Sequence, residues 1–333
     1  MVLPLITGSF MDIHHVNYWD AQYWIDQCRE WKDENWAGLI TDMHDAGMDT
    51  VLILNCAFWG RPLYPANPIT VGIQLPMGSR DPLGCILRRA DDEGMDVYAG
   101  LGFFGRCSLC FNSDLTPQHD QWLVNMAEDI LEKYGRHKSF KGFYLSNEIS
   151  AVKQGGLFIE KEFQDTCEFV RLLRRRIGGL KLVTSPDNLK KPRPEQLHNL
   201  TEQLRQMNID IFAYQDHAGF GWDYREAAEG FKMISGIHHS LKQQLWVNCE
   251  LFSFDQRPDG RKICIPADFS RIRDQLQIAA QIADKIICYQ YQGIMNRWSE
   301  TVNIGHRDSD KRYGEYMQYR NEIIGCQSGR SAT

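Results

Sequence analysis

Two glutamates in this chain stand just beyond short apolar runs. Glu148 follows Gly142-Phe143-Tyr144-Leu145-Ser146-Asn147, and Glu250 follows Leu245-Trp246-Val247-Asn248-Cys249. Apolar runs of this length, bounded by Gly or polar residues, read as buried strands, so each carboxyl is expected at the carboxyl end of its strand. A pair of carboxyls facing one site can divide the labour of cleaving a glycosidic bond. One, protonated, assists the leaving oxygen, and the other, ionised, attacks the anomeric carbon or activates a water. The competing reading makes each glutamate a salt-bridge partner on the rim. The Asn-Glu dipeptide alone decides nothing, because Asn321-Glu322 repeats it in a helical stretch.

For two strand ends to face one site, the elements between them must form a repeating frame. Strand patterns run over Leu3–Ile13, Asp49–Asn55, Met95–Leu101, the Phe143 run, Leu180–Ser185, Ile209–Tyr214, Leu245–Cys249 and Lys285–Tyr291. Helical spacing separates them, as in Trp36, Leu39, Ile40 and Met43, or Leu197, Leu200, Leu204 and Met207. Further helices are expected over Pro82–Glu93, Thr116–Gly135, Lys161–Ile177, Trp222–Leu241, Ala267–Ala283 and Asp310–Ile324. Alternation of this kind without a break in composition predicts the α/β class, as one (β/α)8 TIM barrel catalytic domain over residues 1–333. A doubly wound sheet with a reversal of strand order is the alternative. In a barrel the chemistry sits at the carboxyl ends of the strands.

The residues expected there are polar or aromatic. Asp12 and His14 follow the first strand, Asn55 the second, Phe104 the third, Asn147 the fourth, Asp187 the fifth, Tyr214, Gln215 and His217 the sixth, and Tyr289 and Trp298 the eighth. The long connection from Cys56 to Arg80 carries Trp59, Arg61 and Tyr64, and loops of this length are usually functional. Sugar rings offer C–H faces to aromatic rings and hydroxyls to amides and carboxylates, which this mixture suits. Some of the aromatics are expected only to pack beneath the loops.

Other functions fit less well. With 43% hydrophobic and 24% charged residues and a net charge of −6, the chain reads as a globular protein with no basic field for a nucleic-acid backbone. The first residues lack a charged n-region and no apolar run reaches membrane length, so a cytoplasmic protein is expected, or an exported one whose signal has been removed. Gly100-Leu101-Gly102-Phe103-Phe104-Gly105 matches the dinucleotide fingerprint but does not open a helix. The Cys107 and Cys110 pair has no second pair to complete a zinc site, and Cys56, Cys249 and Cys288 sit in apolar strand patterns and Cys28, Cys85 and Cys167 in helical ones as buried thiols. A metal-dependent hydrolase or isomerase would draw on Asp12, His14, His15 and His217, yet adjacent histidines on a strand point to opposite faces. Neither metal nor cofactor is expected.

A barrel with Asn147-Glu148 closing its fourth strand and Glu250 its seventh resembles the retaining glycoside hydrolases of the clan that holds β-galactosidases, cellulases and β-mannanases. Thr7-Gly8-Ser9-Phe10, Ala46-Gly47-Met48-Asp49-Thr50-Val51-Leu52 and Gly142-Phe143-Tyr144-Leu145 resemble more closely a glycosidase-like TIM-barrel family known as a domain of unknown function. The resemblance spans most of the chain. It implies Glu148 as acid/base, Glu250 as nucleophile, Asn147 on the sugar 2-hydroxyl, a carbohydrate or glycoside substrate, and a retaining double displacement. The chain departs from the clan where Tyr289 and Tyr291 replace the tryptophan that often ends strand eight. An inverting glycosidase and an inactive glycan-binding barrel are the alternatives.

Overall fold

A computed structural model describes residues 2–15, 20–102, 117–151, 157–187, 189 and 191–330. Eight parallel strands close into a barrel: β1 (Gly8–Met11), β2 (Thr50–Ile53), β3 (Asp96–Gly100), β4 (Phe140–Leu145), β5 (Lys181–Thr184), β6 (Ile211–Gln215), β7 (Gln244–Glu250) and β8 (Lys285–Tyr289). Each pairs with its neighbour in sequence, and β1 pairs with β8 to complete the ring, Gly8 opposite Ile287. This is a (β/α)8 TIM barrel.

The helices are α1 (Ile25–Glu30), α2 (Asp33–Asp45), α3 (Pro82–Glu93), α4 (Pro117–Tyr134), α5 (Glu160–Ile177), α6 (Leu197–Met207), α7 (Tyr224–Ser240), α8 (Phe269–Ala279) and α9 (Ser309–Arg330). Local chemistry sets their ends. Pro82 occupies the first turn of α3, Asp81 accepts a hydrogen bond from the Gly84 N–H at 2.9 Å, and Gly94 ends the helix at φ 69°. α2 buries Trp36, Leu39, Ile40 and Met43, the face its spacing predicts.

Alternation along the strands divides the core. Phe10, Leu52, Tyr98, Tyr144, Val183, Ile211, Ala213, Trp246 and Ile287 fill the barrel interior, while Phe143, Phe212, Tyr214 and Cys249 pack in the layer under the helices. Burying side chains of this size contributes about 1.5–3 kcal/mol each. The last helix seals the seam: the buried Tyr316 hydroxyl accepts from the Ile6 N–H at 3.0 Å and donates to the Ile6 carbonyl at 3.2 Å.

Two expectations change. The first strand pairs only over Gly8–Met11, because the chain before it runs across the barrel base. Two hairpins also appear where loops were expected, Ala57–Phe58 with Arg61–Pro62 and Phe252–Gln256 with Lys262–Pro266. The Cys107 and Cys110 pair lies outside the described residues, and the eight described cysteines are all free thiols. No described helix is long and apolar enough to cross a membrane.

Candidate active site

Strand parity places the two glutamates. Tyr144 points into the barrel, and Glu148 keeps that parity beyond the end of β4; on β7, Trp246, Asn248 and Glu250 share the inward face. Both carboxyls border one cavity of about 310 Å³ at the carboxyl ends of the strands, a volume within the range of small-molecule sites. A wider bowl of about 520 Å³ lies at the opposite end, lined by Asp49, Asp210, Lys181 and Lys285. Its charges are largely spent on one another, Lys285 on Asp49 and Lys181 on Asp210, which leaves the smaller cavity as the candidate site.

Glu148 Oε1 accepts from Gln215 Nε2 at 2.8 Å, and Gln215 ends β6. Burial, with the nearby Asp187 charge, pushes the Glu148 carboxyl up to about 8, against the Gln215 hydrogen bond. Asp187 is fixed by the loops after β4 and β5, its N–H donating to the Ile149 carbonyl at 2.9 Å. His217 Nε2 lies 3.3 Å from Asp187 Oδ1, on a residue held in the left-handed region at φ 56°. Burial lowers the His217 pKa while Asp187 opposes.

Glu250 is 2% exposed and held from several sides. Its Oε2 accepts from the Gly219 N–H at 2.7 Å. A Cβ at Gly219 would stand 2.8 Å from that oxygen and 2.5 Å from the Phe252 ring, so only glycine admits the backbone this close. Arg271 of α8 reaches the carbonyls of Ala218, Glu250 and Phe252 at 2.8, 2.8 and 2.6 Å, fastening the turn and the strand end together. Asp216 lies behind, accepting from Gln275 Nε2 at 2.6 Å and from the Ala218 and Glu250 N–H groups at 3.2 Å each. Burial and the Asp216 charge push Glu250 well above the ordinary carboxylate range, while the Gly219 N–H and Arg271 pull it down.

One wall of the cavity is aromatic. Phe220, Phe252 and Phe254 meet edge to face at 5.1–5.8 Å, and Tyr289 stands edge-on to Phe252 at 5.7 Å. Phe220 and Trp222 remain 54% and 47% exposed, so open ring surface faces the cavity mouth.

Of the residues singled out by sequence, the structure brings Glu148, Asp187, Gln215, His217, Glu250 and Tyr289 together around this cavity. The others lie elsewhere. Asn147 has the opposite parity to Glu148 and borders a small gap beside Leu101 and Phe169. Tyr214 points outward, its hydroxyl 2.9 Å from His238 Nε2. Asp12 is fully buried behind His15. His14 stacks on Phe58 at 4.1 Å and Trp59, 51% exposed, stacks on Phe58 at 5.1 Å, and neither borders the cavity. Asn55 is buried in a bridge to Leu101. Arg61 is spent on its own loop, donating to the Gln74 carbonyl at 2.9 Å, and Trp298 Nε1 donates to the Ile304 carbonyl at 3.0 Å. Phe104 lies outside the described residues. Among the described residues no three His, Cys, Asp or Glu side chains form a group that could hold a metal.

Sequence reasoning named His15 only as a candidate metal ligand, and it missed Asp20, Ser185, Asn248, Phe220 and Trp222 as cavity residues. Asn248 was within reach, since it stands two positions before Glu250 and so shares its face.

The model of the family described as domain of unknown function (DUF4434) matches residues 6–300. The chain belongs to the DUF4434 family. No curated protein matches this DUF4434 chain. Among solved structures it is similar to a candidate α-L-fucosidase of Bacteroides thetaiotaomicron, with 21% identity, a TM-score of 0.69, and coverage of 96% of this chain and 95% of that one. It is also similar to an endocellulase of Pyrococcus horikoshii in complex with cellotetraose, at 9% identity and a TM-score of 0.53, covering 94% and 92% of the two chains. A bacterial fucosidase bound to an inhibitor is similar at 11% identity and a TM-score of 0.51, over 94% of this DUF4434 chain and 70% of that one. At these identities the likeness is one of fold.

Proposed function

We propose that this chain is a glycoside hydrolase that cleaves its substrate with Glu148 and Glu250, by a retaining double displacement. The observation that carries the reading is the pair of carboxyls bordering one cavity, Glu148 kept protonated to about 8 and Glu250 held by a backbone N–H and the Arg271 field. In the first step Glu148 gives its proton to the glycosidic oxygen as the bond to the anomeric carbon breaks, and ionised Glu250 forms an ester to that carbon. In the second, Glu148 takes a proton from water, whose oxygen displaces Glu250. The aromatic wall supplies the apolar surface that a sugar face needs. Several of the solved proteins of like fold carry glycosidase names, which agrees with this reading without carrying it.

A panel of 4-nitrophenyl glycosides, with the first-formed product anomer followed by NMR, tests both parts. Retention is expected. Glu250→Ala should lower kcat by about 10³-fold or more on every substrate, with azide restoring turnover as a glycosyl azide of inverted configuration. Glu148→Ala should lose most on poor leaving groups and least on activated aryl ones. Inverted product would make Glu250 a base for water, and equal small losses in both variants would leave the glutamates structural.

A further inference from the structure

Beyond the two glutamates, the cavity holds a third polar assembly. His15 follows β1, is 3% exposed, and borders the cavity. Its Nδ1 lies 3.0 Å from Asp12 Oδ1, and Asp12 Oδ2 is fixed by Trp24 Nε1 at 3.0 Å and Gln290 Nε2 at 3.1 Å. The ring is therefore oriented from behind by a carboxylate that cannot itself turn. The Tyr289 hydroxyl stands 3.5 Å from the same Nδ1. On the other edge, Nε2 is buried and has no hydrogen-bond partner among the described residues. Asp20 Oδ2 faces it at 4.0 Å, beyond hydrogen-bond distance, and Asp20 also borders the cavity. Asp12, Asp20 and the Tyr289 phenol, with His14 adjacent in the chain, bear on this ring, and the two carboxylates raise the His15 pKa to about 9 against burial. At neutral pH both ring nitrogens thus carry hydrogen.

A buried N–H without an acceptor costs about 1–3 kcal/mol, which a ligand that accepts from it recovers. At 4.0 Å apart, Nε2 and Asp20 Oδ2 are close enough for one oxygen standing beside the pair, about 2.8 Å from each, to accept from one and donate to the other. A hydroxyl does both. The geometry points to a specificity subsite in which His15 Nε2–H and the Asp20 carboxylate grip one hydroxyl of the substrate sugar, with Asp12 as the positioning residue. This rests on the glycosidase reading only for its kinetic readout.

The experiment compares each accepted 4-nitrophenyl glycoside with its monodeoxy counterparts in wild type, His15→Ala and Asp20→Asn, folding being checked by circular dichroism. Wild type should disfavour one deoxy position by about 10⁴-fold in kcat/KM, as sites built to bond a hydroxyl do. In both variants that ratio should collapse to within about threefold of unity, with the other positions unmoved. Unchanged ratios, or equal losses at all positions, would overturn the subsite. Asp20→Asn, at a partly exposed residue, keeps the test open if His15→Ala does not fold. If wild type hydrolyses no glycoside, the catalytic reading fails by itself and calorimetry with free monosaccharides reads the subsite. Binding weakened about tenfold or more in Asp20→Asn supports it, and equal binding, or none by wild type, overturns it.

Discussion

At the scale of single residues, the two carboxyls set opposite limits on activity. Under the proposed mechanism, in which Glu250 is the nucleophile, Glu148 must keep its proton to act as an acid, so activity should fall as pH rises through about 8, the value to which burial and Asp187 push it. Glu250 must lose its proton to act as a nucleophile, and its raised pKa moves the acid limb above the ordinary carboxylate range. A narrow bell in kcat/KM against pH is expected. Asp187→Asn removes a charge that holds Glu148 up, so the alkaline limb should shift to lower pH; a limb that stays in place would assign it to another group. The sequence made the glutamates legible because they stand at strand ends. Parity would also have set Asn147 against Glu148 and Tyr214 against Gln215, since neighbours on a strand face opposite ways. His15 was legible as a polar residue after the first strand, but its setting and Asp20 were not, because only the closed ring brings the turn after β1 against Tyr289 of β8.

Among the elements, the eight strands and most helices were legible because apolar runs and helical spacing are local signals. The hairpin Phe252–Gln256 with Lys262–Pro266 was written as plainly, in alternating runs around Pro258-Asp259-Gly260, but a barrel pattern led directly from the seventh strand to its helix. That hairpin supplies Phe252 and Phe254 to the cavity wall, and α8 holds its base through Arg271. Arg271→Ala leaves the carbonyls of Ala218, Glu250 and Phe252 without this donor. The expected cost is about 2–4 kcal/mol of stability, with kcat down by about tenfold or more as the Gly219 N–H loses its place. Arg271→Lys should recover only part, since one ammonium cannot serve three carbonyls in the fork geometry. Thermal unfolding and kcat on the same samples check this, and a variant with unchanged Tm and kcat would count against it.

Across the whole molecule, closure of the barrel depends on the last helix as much as on the first strand. Tyr316 bridges both backbone groups of Ile6, just ahead of β1, so contacts separated by nearly the whole chain complete the ring. Tyr316→Phe should lower unfolding stability by about 1–3 kcal/mol, because a buried N–H and carbonyl lose their partner. Denaturant unfolding monitored by tryptophan fluorescence measures it, and a loss below about 0.5 kcal/mol would show that the seam is held by packing alone. This closure was foreseeable as topology, from eight repeated units. Its hydrogen bonds were not, because no local pattern links Tyr316 to Ile6.

Gly219 carries a consequence for descent. A methyl group there collides with the Phe252 ring and crowds the Glu250 oxygen. A lineage of this barrel that acquires a side chain at that position must therefore shift the turn and surrender the backbone contact to Glu250. Among paralogues, the loss of that glycine should travel with the loss of the acidic residue it serves, so the two positions should change together or not at all.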